Sequence, residues 1–149
     1  MEIRKMTIDD YDEVYKLWMS SKNMGFNDVD DSREGIEKYL RRNPDTSFVA
    51  FADGELAGVI LGGHDGRRGF IHHACVREKF RRQGIGTKLV DTCMDALKKE
   101  GISKVALLVF KYNETGNDFW EAMGFTVRED LNYRNLALRE LVRLVRIDT

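Results

Sequence analysis

Val76-Arg77-Glu78-Lys79-Phe80-Arg81-Arg82-Gln83-Gly84-Ile85-Gly86-Thr87 is the stretch on which the fold turns. An apolar run ends, basic residues follow, and two glycines stand where a helical pattern begins. The first turn of a helix carries backbone N–H groups with no partner inside the helix, at the positive end of its dipole. Glycines let that backbone come close to an anion, so a diphosphate can be held here largely by main-chain donors. Arg81 and Arg82 add charge, and the Thr87 hydroxyl adds a donor. A Gly-x-Gly at a helix start can also serve close packing alone. A P-loop requires Lys followed by Ser or Thr after its last glycine, and here Gly86 is followed by Thr87-Lys88. The dinucleotide fingerprint requires a third glycine where Leu89 stands.

Upstream of this segment, Phe70 to Val76 reads as a strand after a turn at Gly66–Gly69. Ser47 to Ala52 and Leu56 to Leu61 flank Asp53-Gly54, a strong hairpin signal. Before them, Glu2 to Met6 alternates weakly as a short strand. Thr7-Ile8-Asp9-Asp10 resembles a capping box with Asp in place of Glu. Ile8, Tyr11, Val14, Tyr15 and Trp18 then follow at helical spacing. A polar stretch, Asn23 to Asp31, separates this helix from a second, which Ser32 caps and Asn43-Pro44 ends. Downstream, Gly84 to Glu100 reads as a helix with Ile85, Leu89, Cys93 and Leu97 along one side. Val105 to Phe110 reads as a strand buried on both faces. A short helix around Asp118 to Met123 ends at Gly124, and Phe125-Thr126-Val127 begins another strand. In the tail, Asn135 to Leu138 suits a strand, while Leu141, Leu144 and Val145 suit helical spacing. The order predicts an α/β domain around one mixed sheet, with one domain over residues 1–149.

Bulk properties bound the function. The 149 residues are 42% hydrophobic and 33% charged, with 24 basic against 25 acidic side chains and a formal net charge of −1. Such a balance offers no general attraction to nucleic acid, and any basic function is local. No stretch approaches the roughly 20 apolar residues of a membrane helix, and the N-terminus lacks the apolar run of a signal peptide. A cytoplasmic protein is the expectation. Cys75 and Cys93 lack metal-ligand spacing and read as buried free thiols, so no metal is expected.

Arg81-Arg82-Gln83-Gly84-Ile85-Gly86 resembles the Arg/Gln-x-x-Gly-x-Gly/Ala signature of the GNAT superfamily of N-acetyltransferases. Ala74-Cys75-Val76 is similar to the end of that family's fourth strand. Asn113 through Phe119-Trp120-Glu121-Ala122-Met123-Gly124-Phe125 resembles its Asn … Phe-Tyr-x-x-x-Gly-Phe segment. The resemblance covers roughly residues 1 to 130. It implies a GNAT fold: a mixed, mostly antiparallel sheet, flanked by helices and splayed between its fourth and fifth strands to admit acetyl-coenzyme A (acetyl-CoA). It further implies that backbone groups of Ala74, Cys75 and Val76 pair with the pantetheine arm. The amides of Arg82, Gln83, Gly84, Ile85, Gly86 and Thr87 would hold the pyrophosphate, with Arg81 adding charge. Asn113 would hydrogen-bond the cofactor; on sequence alone it is equally a helix cap.

Transfer of an acetyl group to an amine requires a deprotonated nucleophile, and a base titrating near neutrality serves best. The resemblance puts the base at positions similar to Phe70 and His72, and Phe70 cannot take a proton. His72 is therefore the expected catalytic base, against the alternative of a structural histidine. Strand alternation predicts His72 on one face with Phe70, Ala74 and Val76, and His73 with Cys75 on the other. That would exclude a Cys75 acyl-enzyme and favour direct transfer in a ternary complex. Trp120 stands where the family usually has tyrosine, and indole has no comparable acidic proton. Tyr112, Tyr133 or solvent would then protonate the leaving thiolate. The acceptor is an unidentified amine, small molecule or peptide. Asp28, Asp30 and Asp31, with Phe26 nearby, would suit a cationic one, or else form a solvated loop. Arg67 and Arg68 read as solvent-exposed. A homodimer through the C-terminal strand region is one arrangement the resemblance allows. The competing reading is a catalytically weak acyl-CoA sensor or interaction module on the same fold.

Overall fold

A computed structural model describes residues 1–146. Its elements are β1 (Glu2–Lys5), α1 (Tyr11–Ser20), β2 (Met24–Asn27), α2 (Arg33–Arg42), β3 (Phe48–Ala52), β4 (Glu55–His64), β5 (Gly69–Val76), α3 (Ile85–Lys99), β6 (Val105–Leu107), α4 (Glu114–Ala122) and β7 (Arg143–Arg146). Five strands form one sheet in the order β1-β3-β4-β5-β6. Neighbours in it are antiparallel except β5 and β6, which run parallel. A separate antiparallel ribbon joins β2 to β7. The mixed, mostly antiparallel sheet agrees with the sequence reading. The strands read there as fourth and fifth are β5 and β6 here, because β2 lies within the stretch read as a polar loop.

Helices cover both faces. Val14, Leu17 and Trp18 of α1 and Ile36 and Leu40 of α2 pack with Val49, Val59 and Leu61 on one side. Ile85, Leu89, Cys93 and Leu97 of α3 pack with Ala50, Ile60 and Ile71 on the other. The stripe at i, i+4, i+8 and i+12 on α3 is thus the core-facing stripe its spacing requires. Local chemistry sets the ends. Ser32 Oγ accepts the Gly35 N–H at 3.0 Å and starts α2, and Asn43 closes it before Pro44. The β3–β4 turn has positive φ at Asp53 and Gly54, 51° and 77°, the geometry that matches the twist of a hairpin.

Three expectations are corrected. The strand over Val105–Phe110 is only Val105–Leu107, and Leu108 is 55% exposed. β6 is the edge of its sheet, with Val105 and Leu107 partly buried on the α3 side and Ala106 exposed on the other, so it is not enclosed on both faces. Phe125-Thr126-Val127 and Asn135–Leu138 form no strand; residues 125–142 are irregular, with Leu136 and Leu138 strongly exposed. The tail, where a strand near the end is expected although Leu141, Leu144 and Val145 suit helical spacing, forms β7 at Arg143–Arg146. Its partner β2 supplies the backbone pairing that helical spacing of apolar residues cannot anticipate.

Candidate active site

β5 carries the decisive irregularity. Leu61 pairs with His73 and Gly62 with Ile71, which leaves His72 opposite no residue of β4. Such a bulge bends its strand and ends regular pairing. On the other side, β5 pairs with β6 only through Gly69–Val105, Phe70–Ala106 and Ile71–Leu107. From His72 onward the two strands part. A single extra residue therefore marks the start of the splay and projects His72 at that point.

The bulge also overturns the alternation argument. Ala74 and Val76 join Ile71 in the cluster beneath α3. His73 packs against Trp18 and Phe26, with ring centroids 4.9 and 4.6 Å apart, and Cys75 joins the same α1/α2 side. His72 lies on that side as well, 4.8 Å from Phe70 and edge-on to Tyr39 at 5.4 Å. So His72 does not share a face with Ala74 and Val76, and Cys75 is not turned away from it. Burial pushes the Cys75 thiol up to about 12 despite a hydrogen bond with Ser21, which disfavours the thiolate at neutral pH.

The two histidines differ in kind. His73 Nε2 lies 2.7 Å from Asp31 Oδ1, and Asp31 is itself buried. Asp31 Oδ2 accepts the Asn27 N–H at 2.9 Å, and its main-chain carbonyl accepts the Tyr11 hydroxyl at 2.6 Å. His73 is thus structural, pinning the β2 segment to the sheet. His72 is exposed to a groove. Burial, followed by the neighbouring His73, lowers its pKa from 6.5, while Asp31 and Asp30 pull the other way. The imidazole is neutral at pH 7, the state a base requires.

Of the loop acids expected near an acceptor, Asp31 is buried while Asp28 and Asp30 stay exposed, each holding an internal hydrogen bond. Asp31 is engaged as above. Asp28 accepts the Val142 N–H at 2.7 Å, Asp30 accepts the Asn27 amide at 3.0 Å, and Phe26 is 4% exposed against Trp18. β2 instead touches both walls of the splay. Phe26 meets His73, and a Cβ on Gly25 would lie 3.2 Å from Phe110, beyond the end of β6.

The expected anion-binding residues come together beside this gap. A short turn over Glu78–Phe80 leads from β5 to Arg81, and α3 begins after Gly84. Arg82 and Gly84 have φ of 64° and 80°, left-handed backbone of the kind that builds anion-binding concavities. No side chain caps the first turn of α3. Gly84 has open space around it, and a Cβ on Gly86 would just touch Phe119 at 3.4 Å. On β5, the Arg77 N–H donates to Ala57 O at 2.7 Å. Antiparallel alternation then makes Cys75 and Val59 a hydrogen-bonded pair and turns the polar groups of Ala74 and Val76 to the open edge. Arg81 Nε donates to Val76 O at 3.1 Å from that side. Cys75 is therefore the middle residue of the edge, not a donor on it. The donors and the open strand fit an extended amide chain ending in a diphosphate.

Asn113 caps α4, its Oδ1 accepting the Gly116 N–H at 3.0 Å. Its amide NH2 has no protein partner among the described residues. Trp120 stacks edge-on against Phe119 and Phe125 at 5.1 and 5.2 Å, a packing role. Tyr112 lies parallel to Phe110 at 5.1 Å and is half exposed, and Tyr133 is 65% exposed.

The groove before His72 measures about 430 Å³ and includes residues the sequence reading did not single out. Tyr39 forms its wall, with a buried hydroxyl that has no hydrogen-bond partner among the described residues. A Cβ on Gly63 would collide with that hydroxyl and lie 2.6 Å from Asn43 Cγ. The sequence signal was the pair Gly62-Gly63 in a central strand, which marks close approach of other groups.

A family model described as the acetyltransferase (GNAT) family matches residues 11–125. Acetyltransferase plu1384 of Photorhabdus laumondii is 36% identical over 114 residues, covering 76% of this chain and 78% of the relative. Among solved structures, Ard1 from Thermoplasma volcanium superposes with a TM-score of 0.75 at 24% identity, covering 85% of this chain and 83% of the other. PaiA N-acetyltransferase from Thermoplasma acidophilum, in complex with coenzyme A, gives 0.73 at 21% identity, covering 86% and 91%. These structural likenesses establish a shared fold.

Proposed function

The chain belongs to the acetyltransferase (GNAT) family, and from that premise we propose that it transfers an acetyl group from acetyl-CoA directly to a primary amine, with His72 as base. The observation that carries this reading is the bulge at His72. It sets a neutral, accessible imidazole at the point where β5 and β6 separate. Residues 1–149 are read as one acetyltransferase domain.

Acetyl-CoA supplies an acyl group activated as a thioester. Toward it, the amides of Arg82 to Thr87 offer a diphosphate cradle, and Arg82 adds a charge that Arg81, turned to Val76 O, shares in part. Ala74 and Val76 offer edge hydrogen bonds of the kind that recruit an extended chain to a sheet. The Asn113 amide NH2, without a protein partner among the described residues, supports one more. His72 takes up the proton that the acceptor's ammonium must lose before its nitrogen can attack the thioester carbonyl. Trp120 packs and donates no proton to sulfur, so solvent protonates the departing thiolate; its ordinary acidity makes that sufficient. The burial of the Cys75 thiol favours direct transfer over an acyl-enzyme. The chain contains no helix long and apolar enough to cross a membrane among its described residues.

Calorimetric titration with acetyl-CoA and with free coenzyme A tests the cofactor half of this reading. Micromolar binding is expected for both. A Gly84→Val variant, which forces a β-branched residue to a φ of 80°, should weaken both. Absence of binding by wild-type protein would remove the basis of the proposal.

A further inference from the structure

The groove that His72 opens into has an uneven distribution of charge. Arg42 ends α2, Arg68 precedes β5 and Lys104 precedes β6, so three separate segments bring cations to one rim. All three side chains are exposed, and none forms an ion pair among the described residues. The one carboxylate on the rim, Asp65, accepts the backbone N–H groups of Arg67 and Arg68, each at 2.8 Å. These bonds to the turn hold it below the usual carboxylate range. The third imidazole, His64, is turned away to Glu100 at 2.7 Å. Inside the rim, the rings of Tyr39 and Phe70 and the bare backbone of Gly63 make a mainly apolar floor, with the neutral imidazole of His72 on one side. Asp28, Asp30 and Asp31, which hold internal hydrogen bonds, do not line this groove, though the charges of Asp31 and Asp30 reach His72.

We propose that the acceptor is a small primary amine that also carries a carboxylate or phosphate group. It sits in this groove with its amine at His72 and its anionic group among Arg42, Arg68 and Lys104. The inference rests on the acetyl-transfer reading above and narrows its acceptor. A volume of about 430 Å³ suits a small molecule. Three cations against the single carboxylate of Asp65, which Arg42 also faces, leave the rim net positive, so it attracts an anionic group and repels a second ammonium, favouring an amino acid or a phosphorylated amine over a polycation.

The test is thiol release from acetyl-CoA with four amines: β-alanine, phosphoethanolamine, ethanolamine and spermidine. At least one anionic amine should show a kcat/KM about tenfold or more above ethanolamine, with spermidine lowest. Comparison of the two anionic amines distinguishes carboxylate from phosphate. Their KM should rise with added potassium chloride, since the rim is solvent-exposed. The double variant Arg42→Glu, Arg68→Glu should invert the ranking toward spermidine without altering affinity for acetyl-CoA; both side chains are exposed, and a thermal melt checks the fold. Preference of the wild-type protein for ethanolamine or spermidine overturns the inference. So does a ranking unmoved by the double variant, or no turnover with either anionic amine while acetyl-CoA binds. Failure to bind acetyl-CoA would instead strike the underlying acetyl-transfer reading.

Discussion

Replacing Asp31 with alanine should destabilise the protein far more than the same change at its neighbours Asp28 and Asp30. Asp31 is 6% exposed. Its carboxylate satisfies two partners: His73 Nε2 at 2.7 Å and the Asn27 N–H at 2.9 Å. His73 is hemmed in by Trp18 and Phe26, so water cannot readily replace the lost acceptor. Each donor left unsatisfied costs about 1–3 kcal/mol, giving roughly 4 kcal/mol for the pair. For a chain of this length each kcal/mol corresponds to about 2–4 °C, so the melting midpoint should fall by roughly 10 °C. Asp30 bonds the Asn27 side chain at an exposed position, and Asp30→Ala should cost no more than about 0.5 kcal/mol. Urea titration and thermal melts at pH 7, followed by circular dichroism, measure both. A second readout is functional. Asp31 pulls the pKa of His72 upward, so its loss should move the acid limb of activity to lower pH. A loss under about 1 kcal/mol for Asp31→Ala would refute the idea that this pair anchors β2 to the sheet.

For His72 itself, the sign of the pH dependence is set by burial. Its folded pKa lies below 6.5 and activity needs the neutral ring, so kcat/KM should rise with pH through that lowered value and level off near pH 7. His72→Ala should reduce turnover about a hundredfold or more with acetyl-CoA affinity retained; an unchanged pH–rate profile would exclude the base role. Cys75→Ala should leave turnover largely intact and cost about 1 kcal/mol of stability, whereas abolished turnover in a folded variant would restore the acyl-enzyme. Gly63→Ala places a methyl into Tyr39 and Asn43, so it should cost about 1–3 kcal/mol and raise acceptor KM as Tyr39 moves; a neutral result would count against the described wall of the groove.

Much of this protein was legible in the order of its residues, because the relevant physics is local. The Asp53-Gly54 hairpin, the Ser32 cap, the stop at Asn43-Pro44 and the glycines before α3 each depend on one residue's backbone freedom or one short hydrogen bond. The stripe on α3 and the cradle from Arg81 to Thr87 follow from the same short-range rules, and with them the family. Tertiary structure decided what alternation could not. The bulge at His72 arises where β5 must pair with β4 on one side and part from β6 on the other, a demand made by two distant segments. It carries His72 and Cys75 to the face that strict period-two counting had divided between them. β2 and β7 formed where each found backbone partners far away in sequence, β2 within a stretch that reads as polar loop and β7 where the spacing reads as helical: Met24 opposite Arg146 at one end, Asn27 opposite Arg143 at the other. The cationic rim is likewise a property of assembly. Arg42, Arg68 and Lys104 are unremarkable surface charges in sequence, and only the packing of α2 over the β4–β5–β6 edge makes them neighbours.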